Sequence, residues 1–429
     1  MKVAVVGGGG REHALIRKLK ENPAITQMYA LPGNGGIGFD AVCVPLAADD
    51  LDGIVAFARK EALDFVVIAP DDPLALGLVD RLEAAGIAAF GPTARAAAIE
   101  SSKAFAKDLM KKYGIPTAAY ETFDDARRAA DYLRRNTRWP IVLKADGLAL
   151  GKGVLICENL AAALDGVREI MEDRAFGAAG SKMVVEEFLT GPEVSVLAFT
   201  DGKTLVPMVS SMDHKRAGDG DTGLNTGGMG TVAPNPCYTP AIAAQCREKI
   251  FLPTVAAMNA EGRTFRGCLY FGLMLTPDGP RVIEYNCRFG DPETQVVLPL
   301  LQSDLLTILM AVREGRLAQV PVVFGGGAAA CVVLASGGYP QHCEKGLPIT
   351  GLTDGQLAGA QNVTVYHAGT ARRDGALVTA GGRVLGVTAT ADDLQTALAR
   401  AYAAAAEIHF DGVHYRRDIG RRALSALAQ

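Results

Sequence analysis

The chain has 429 residues, 49% of them hydrophobic, and a net charge of −4, enough for roughly three domains with sizeable cores. No basic block or aromatic-interleaved Lys/Arg stripe supports nucleic-acid binding, and no apolar run approaches the ~18 residues of a membrane span. There is no signal-peptide pattern before the first strand and no CxxC pair among the eight cysteines, so the expectation is a soluble protein of a reducing cytoplasm without disulfides or zinc.

Residues 1–100 alternate short β-rich runs, Val3–Gly7, Gln27–Leu31, Phe65–Ala69 and Ala88–Phe90, with helical stretches. This βαβ alternation predicts a doubly wound parallel sheet. Gly7-Gly-Gly-Gly-Arg-Glu-His13 follows the first strand, yet the dinucleotide fingerprint fails. Counted from Gly7 its third glycine is Glu12, and counted from Gly8 it is His13. The second strand ends in Tyr29-Ala-Leu-Pro-Gly33, without an acidic tip for a ribose diol. These features argue against a nicotinamide cofactor. The glycines read either as a plain βα turn or as a phosphate cradle at a helix N-terminus.

Ser101–Tyr113 reads as a capped amphipathic helix ended by Gly114-Ile-Pro116. Residues 117–190 predict strands Ile141–Ala145, Gly153–Cys157 and Met183–Phe188 with a helix over 160–173. Between the first two strands, Lys144-Ala-Asp-Gly-Leu-Ala-Leu-Gly-Lys-Gly153 departs from a P-loop. Only three residues separate Gly147 from Gly151, and Gly153 stands where Ser or Thr should be. With strands on both flanks it predicts a hairpin flap whose backbone N–H groups fold over a triphosphate, with Lys144 as a point charge and Lys103 nearby. Met183–Ser195 is a strand, hinge and strand. The hinge near Glu187–Leu189 suits an adenine ring and Glu193 the ribose hydroxyls, although Phe188 and Leu189 read equally as core.

Asp213–Gly230 is the longest glycine-and-charge stretch, read as a lid or binding loop. Lys215 and Arg216 can bind anions, and Asp213 with Asn225 can orient an amine. His214 reads as a general base or a plain hydrogen-bond donor. Residues 191–325 otherwise predict longer antiparallel strands. One of them ends in Arg281-Val-Ile-Glu-Tyr-Asn-Cys-Arg-Phe-Gly-Asp-Pro-Glu-Thr-Gln295. Alternation puts Glu284 and Asn286 on one face, where two hard oxygens suit a magnesium ion that also holds nucleotide phosphates. Arg288 is placed to meet a carboxylate or phosphoryl group. The competing reading is a capped strand end with a surface salt bridge. The Gly325-Gly-Gly327 break and strand Ala329–Ala335 open a small C-terminal α/β unit. The expected domains are thus 1–100, 101–325 with a 117–190 flap subdomain, and 326–429.

Together these segments resemble the ATP-grasp ligases, and among them the phosphoribosylamine–glycine ligase family of purine biosynthesis, from Val3 to about Ile419. The resemblance rests on Gly7-Gly-Gly-Gly-Arg-Glu-His-Ala-Leu15, Pro32-Gly-Asn34, Ser102-Lys103, Lys144-Ala-Asp-Gly147, Asp213-His-Lys-Arg216, Asn225-Thr-Gly-Gly-Met-Gly230 and Arg288-Phe-Gly-Asp-Pro-Glu-Thr-Gln295. His367-Ala-Gly-Thr370, Gly381-Gly-Arg-Val-Leu385 and Tyr415-Arg-Arg-Asp-Ile-Gly420 add to it. It implies ATP, glycine and 5-phosphoribosylamine as substrates, with Mg²⁺ or Mn²⁺ on Glu284 and Asn286. It implies ATP contacts from Lys103, Lys144, Gly147, Gly151, Gly153, Glu186, Glu187, Leu189 and Glu193. Arg288 would take the glycine carboxylate, with Lys144, Asp213 and Asn225 at the reacting groups. Gly9, Gly10, Arg11, Gly33, Asn34, Asp71, His214, Lys215 and Arg216 would contact the substrates, the glycine turn taking the ribose phosphate. Asp71, Met212 and Leu224 depart from the family's usual Glu, Gln and Pro. Two other readings remain: a ligase with a different amine acceptor, and a nucleotide-binding regulator without turnover, which intact Glu284, Asn286 and Arg288 disfavour.

Overall fold

The computed structural model describes residues 1–148 and 153–428. At the N-terminus five parallel strands run in the order Val42–Cys43, Gln27–Pro32, Lys2–Gly7, Phe65–Ile68, Ala89–Phe90. Val3, Ala4, Val5 and Val6 are all fully buried, the uninterrupted apolar run that a parallel sheet covered on both faces requires. The edge strand Val42–Cys43 is two residues long, too short to show a period in the sequence. The carboxyl ends of the strands carry the Gly7–Arg11 turn, Pro32–Asn34 and the Ala69–Asp71 turn, so all three face one side.

Helices Ala94–Ser101 and Lys103–Tyr113 lead out of this sheet. Ser102 separates them and caps the second, its hydroxyl accepting from Phe105 N–H at 3.1 Å. Gly114, left-handed at φ 67°, ends it.

A four-stranded antiparallel sheet follows, ordered Tyr120–Phe123, Met183–Glu187, Ile141–Ala145, Val154–Cys157. Helices Ala126–Arg134 and Leu160–Val167 close a small core of its own around Leu133, Leu143, Ile170 and Val185. A second antiparallel sheet orders Leu205–Pro207, Glu193–Thr200, Gly267–Thr276, Gly279–Asn286. Its apolar faces join the cores that extend under the N-terminal sheet.

The last sheet contains five strands, Met212–Asp213, Gly230–Ala233, Ala328–Ala335, Arg383–Ala391 and Val363–His367, backed by helix Leu394–Ala405. Two of them come from before residue 234, so the unit expected to start near Gly325 completes its sheet with earlier chain. Between those two strands the expected loop is instead a hairpin, Arg216–Gly218 paired with Thr222–Asn225. Its turn is held from the C-terminal side, where fully buried Arg416 reaches Asp221 at 2.9 Å and the Arg216 carbonyl at 3.2 Å. Its sequence shows no alternation because the strands are short and their pairing is irregular.

Candidate active site

A cleft of about 670 Å³ is lined by residues of the three later sheets together with Arg11 and Asp71, which follow strands of the N-terminal sheet. Its shape at the centre comes from a defect in one strand. Along Gly279–Asn286 the pairing slips, with Gly272 opposite Glu284 but Leu273 opposite Val282. Ile283 is the extra residue of a β-bulge, which reverses the inward–outward alternation. Val282, Tyr285 and Cys287 therefore all lie in the core, while Glu284 and Asn286 line the cleft. A Cβ on Gly272 would stand 2.7 Å from Glu284 Cγ, so glycine there makes room for the carboxylate. The Ile283 carbonyl, left out of the ladder, accepts from Lys144 Nζ at 2.8 Å.

Glu284 meets Lys215 Nζ at 3.5 Å, and the same ammonium lies 3.2 Å from Glu193. Lys215 holds the Glu284 carboxyl below its ordinary range against the opposing effect of burial. On the side of the Asn286 amide that faces Glu100 Oε1 at 2.8 Å and the Tyr285 carbonyl at 3.2 Å there are only acceptors, which assigns the nitrogen to that side and the oxygen to the other. No cluster of three His, Cys, Asp or Glu side chains suited to a metal occurs among the described residues. A carboxylate beside an amide oxygen is instead a donor set for a hard divalent ion that draws its remaining ligands from phosphate and water. Arg288 follows, paired with Glu100 at 3.1 Å.

Next to this strand lies a buried ion network. Glu186, 3% exposed, bridges Lys107 at 2.8 Å and Lys144 at 3.0 Å. Burial would raise its carboxyl, but Lys144 and Lys107 bring it below the ordinary value. Burial in turn lowers Lys107 to about 8 against the pull of Glu186. Glu186 thus carries the lysines, a task that leaves little of it for a nucleoside. Lys103 Nζ donates to the Gly147 carbonyl at 2.7 Å. Asp146 accepts from Ala104 N–H at 3.0 Å and from the Ser102 hydroxyl at 3.2 Å, tying the base of the flap to a helix N-terminus. Gly147 and Gly153 line the cleft, as do Glu187, Leu189 and Glu193; Gly151 lies outside the described residues. Gly147 adopts φ 150°, and a Cβ there would meet that of Ala179 at 2.7 Å.

From the hairpin segment, Asp213, Lys215, Arg216 and Asn225 line the cleft. Burial, then the neighbouring Glu293, raise the Asp213 carboxyl well above its ordinary value. His214 points the other way, 1% exposed. The Gly420 N–H can only donate, so Nε2 accepts from it at 3.1 Å and Nδ1 donates to the Gly230 carbonyl at 3.1 Å. Burial, helped by Arg416, lowers this ring to about 4 and keeps it neutral. The substrate contact expected of His214 is replaced by a pin between the hairpin segment and the C-terminal chain.

At the N-terminal end Arg11 and Asp71 line the cleft. Arg11 donates to the Ala69 carbonyl at 3.2 Å. Arg288 and Arg11 lower the Asp71 carboxyl against its burial. The Gly9 N–H donates to Glu12 Oε2 at 2.6 Å, and Gly10 abuts Gln295, whose Nε2 would lie 2.5 Å from an added Cβ. Gly33 places its carbonyl 2.4 Å from where a Cβ on Gly8 would be, so the two loops touch through backbone. Asn34 is likewise committed. Its nitrogen donates to the Gly8 and His367 carbonyls, both at 2.9 Å, and its oxygen accepts from Gly36 and Ile37. It joins the first and last sheets and has no donor to spare for a ribose.

Three family models match the chain in succession. They are the N domain of phosphoribosylglycinamide synthetase over 1–100, its ATP-grasp (A) domain over 101–294 and its C domain over 329–422. The chain belongs to the phosphoribosylglycinamide synthetase family. A phosphoribosylamine–glycine ligase of Synechocystis sp. is 49% identical over 99% of this chain and 100% of its own length. The one from Agrobacterium fabrum is 48% identical over 99% of each. The crystal structure of a phosphoribosylamine–glycine ligase from Thermotoga maritima superposes with a TM-score of 0.85 at 35% identity, covering 98% of this chain and 100% of that one.

In this member of the phosphoribosylglycinamide synthetase family, the cleft also holds Asp291, Glu293, Arg383 and Glu100, to which the sequence alone assigned no role. Asp291 bridges Arg11 at 3.8 Å and Arg383 at 3.4 Å, linking first and last sheets across the cleft. Glu293 accepts from the Tyr270 hydroxyl at 3.0 Å beside Asp213. Both acids stand in the Arg288–Gln295 motif, which could have been searched for them. Arg383 likewise stands in the Gly381–Leu385 motif, whereas Glu100 stands in none, and only the folded chain brings it to the cleft.

Proposed function

We propose that the chain ligates glycine to 5-phosphoribosylamine at the expense of ATP, giving glycinamide ribonucleotide, ADP and phosphate. What carries the reading is a full-length family match whose motif residues Lys103, Lys144, Glu284, Asn286 and Arg288 line one cleft. In the first step an oxygen of the glycine carboxylate attacks the γ-phosphorus, forming glycyl phosphate and releasing ADP. In the second, the amine of phosphoribosylamine attacks the acyl carbon, loses a proton and displaces orthophosphate. A free carboxylate is a poor acyl donor, and phosphorylation supplies the leaving group.

The chain's part is positioning and charge neutralisation. Lys103 and Lys144 would meet the ATP phosphates, with Gly147 and Gly153 at the edge of the flap. Glu187, Leu189 and Glu193 would hold the adenosine. Glu284 and Asn286 would hold Mg²⁺ or Mn²⁺, which when bound neutralises phosphate charge. Arg288 would pair the glycine carboxylate, Asp213 and Asn225 would orient an amine, and Arg11 with Asp71 would face the ribose phosphate. No helix among the described residues is long and apolar enough to cross a membrane.

The test is release of ADP and orthophosphate from ATP. Both should appear in equal amounts only when glycine and phosphoribosylamine are present together. Turnover with glycine and an unrelated amine, but not with phosphoribosylamine, would assign a different acceptor. No turnover with glycine under any condition would overturn the reading.

A further inference from the structure

Helix Ala94–Ser101 reads as a short alanine-rich connector, and its one carboxylate, Glu100, is only 8% exposed. Burying an acid at the end of such a helix is costly unless its oxygens are matched. Here they are matched by three consecutive residues of the strand end. Oε2 accepts from the Cys287 N–H at 2.6 Å. Oε1 lies 3.1 Å from Arg288 Nη2 and 2.8 Å from the Asn286 amide nitrogen. A single carboxylate therefore sets a backbone amide, a guanidinium and a side-chain amide at once.

The contact with Asn286 has a chemical consequence. A side-chain amide offers an oxygen in one orientation and an NH₂ in the other, and the two occupy nearly the same space. Only the oxygen can ligate a cation. An ionised carboxylate is an acceptor without a proton, so it tolerates only the nitrogen on its side. Burial pushes the Glu100 carboxyl up, while Arg288 and the Cys287 N–H favour its ionised form; with Glu100 ionised, the Asn286 oxygen faces away from it.

We propose that Glu100 is a positioning residue which selects the metal-ligating orientation of Asn286 and, through the same carboxylate, aims the Arg288 fork. The inference rests on the metal-assisted ligase reading of the cleft. Asparagine alone would be an ambiguous ligand. Glu100 makes it an oxygen donor without adding a second negative charge beside Glu284.

The test reads metal binding without turnover. Mn²⁺ affinity is measured by electron paramagnetic resonance on the full chain with a non-hydrolysable ATP analogue. Glu100→Gln preserves shape but places an NH₂ against one of the three donors, so Mn²⁺ affinity should fall about 10-fold. Adding Asn286→Asp to that variant gives the new NH₂ a carboxylate to donate to and returns oxygen to the site, so affinity should recover most of the loss. Asn286→Asp alone sets two carboxylates together and should not improve on the parent chain. A structural role alone would lower the unfolding midpoint of Glu100→Gln and leave Mn²⁺ affinity unchanged, and that result overturns the proposal. Should Glu100→Gln fail to fold, a structure of the parent chain with Mn²⁺ and the analogue decides. Asn286 nitrogen on Glu100 supports the proposal, and separation of the two overturns it. Absence of nucleotide-dependent Mn²⁺ binding in the parent chain would overturn the metal reading itself, a failure separable from loss of the Glu100 effect.

Discussion

Lys144 and Lys215 reach the same strand, at Ile283 and Glu284, from different elements and are held by different means. Lys144 rests on Glu186 and shares it with Lys107, with side-chain exposures of 11%, 3% and 3%. Lys215 sits between Glu193 and Glu284 with exposures of 35%, 46% and 38%. In the first group no charge can be withdrawn without stranding another in low dielectric. In the second, the cleft walls desolvate Lys215 and Glu284 in part, but each side chain is a third or more exposed, so water competes and an ion pair of that kind contributes about 0–1 kcal/mol. The buried network is fixed scaffolding, consistent in character with the phosphate-binding role proposed for Lys144. The half-exposed pairs are exchangeable, which suits the roles proposed for Glu193 and Glu284.

Glu186→Ala should break the fixed network, because it leaves Lys107 and Lys144 unpaired. A loss of ~3–5 kcal/mol is expected from denaturant unfolding, and a loss under 1 kcal/mol would show the network to be as exchangeable as its counterpart. The hairpin segment behind Lys215 should show an acid sensitivity of its own. His214, at about 4, lies below its ordinary 6.5. The folded chain therefore binds fewer protons than the unfolded one between those values, and its stability falls as pH drops through that window. His214→Gln should be less stable than the parent chain at pH 7, and the gap should narrow by about 2–3 kcal/mol by pH 4.5. A gap independent of pH would remove the neutral ring from the account.

Glu284→Gln keeps shape and removes charge from the exchangeable side. Folding should survive, kcat/KM should fall at least ~100-fold, about 2.7 kcal/mol of transition-state stabilisation, and raised Mn²⁺ should restore part of it. Normal turnover at low metal would make Glu284 a structural residue. The smallest effect belongs to Lys215→Met, which should change unfolding free energy by less than ~1 kcal/mol. A loss on the scale of Glu186→Ala would erase the contrast between the two groups.

The periodic parts of the chain were legible in the sequence. The N-terminal parallel strands and the glycine-rich hairpin follow from apolar runs and their flanks, because those signals are local. The pairing of Glu284 and Asn286 on one wall was read from alternation, yet the bulge at Ile283 changes what alternation means for Val282, and a bulge is set by the partner strand. His214 read as a general base or a plain donor near the substrates because nothing local announces that Gly420 will reach it. Glu186 read as a nucleoside contact because its lysines arrive from two other elements. The irregular pairing of Arg216–Gly218 with Thr222–Asn225 hid the hairpin for the same reason, since its restraints come from Arg416 and Asp418 far along the chain.

The sheet that takes in Met212–Asp213 and Gly230–Ala233 bears on how the gene can be cut. Gly230–Ala233 lies between Met212–Asp213 and Ala328–Ala335 in the pairing order. A split at Gly325–Gly327, where the glycines invite one, would leave the upstream fragment with two orphan strands. The downstream fragment would bare the fully buried Ala328–Ala335 along its open edge. Neither half would be a self-contained unit, and fusion or permutation would have to respect a boundary that the linear sequence does not contain.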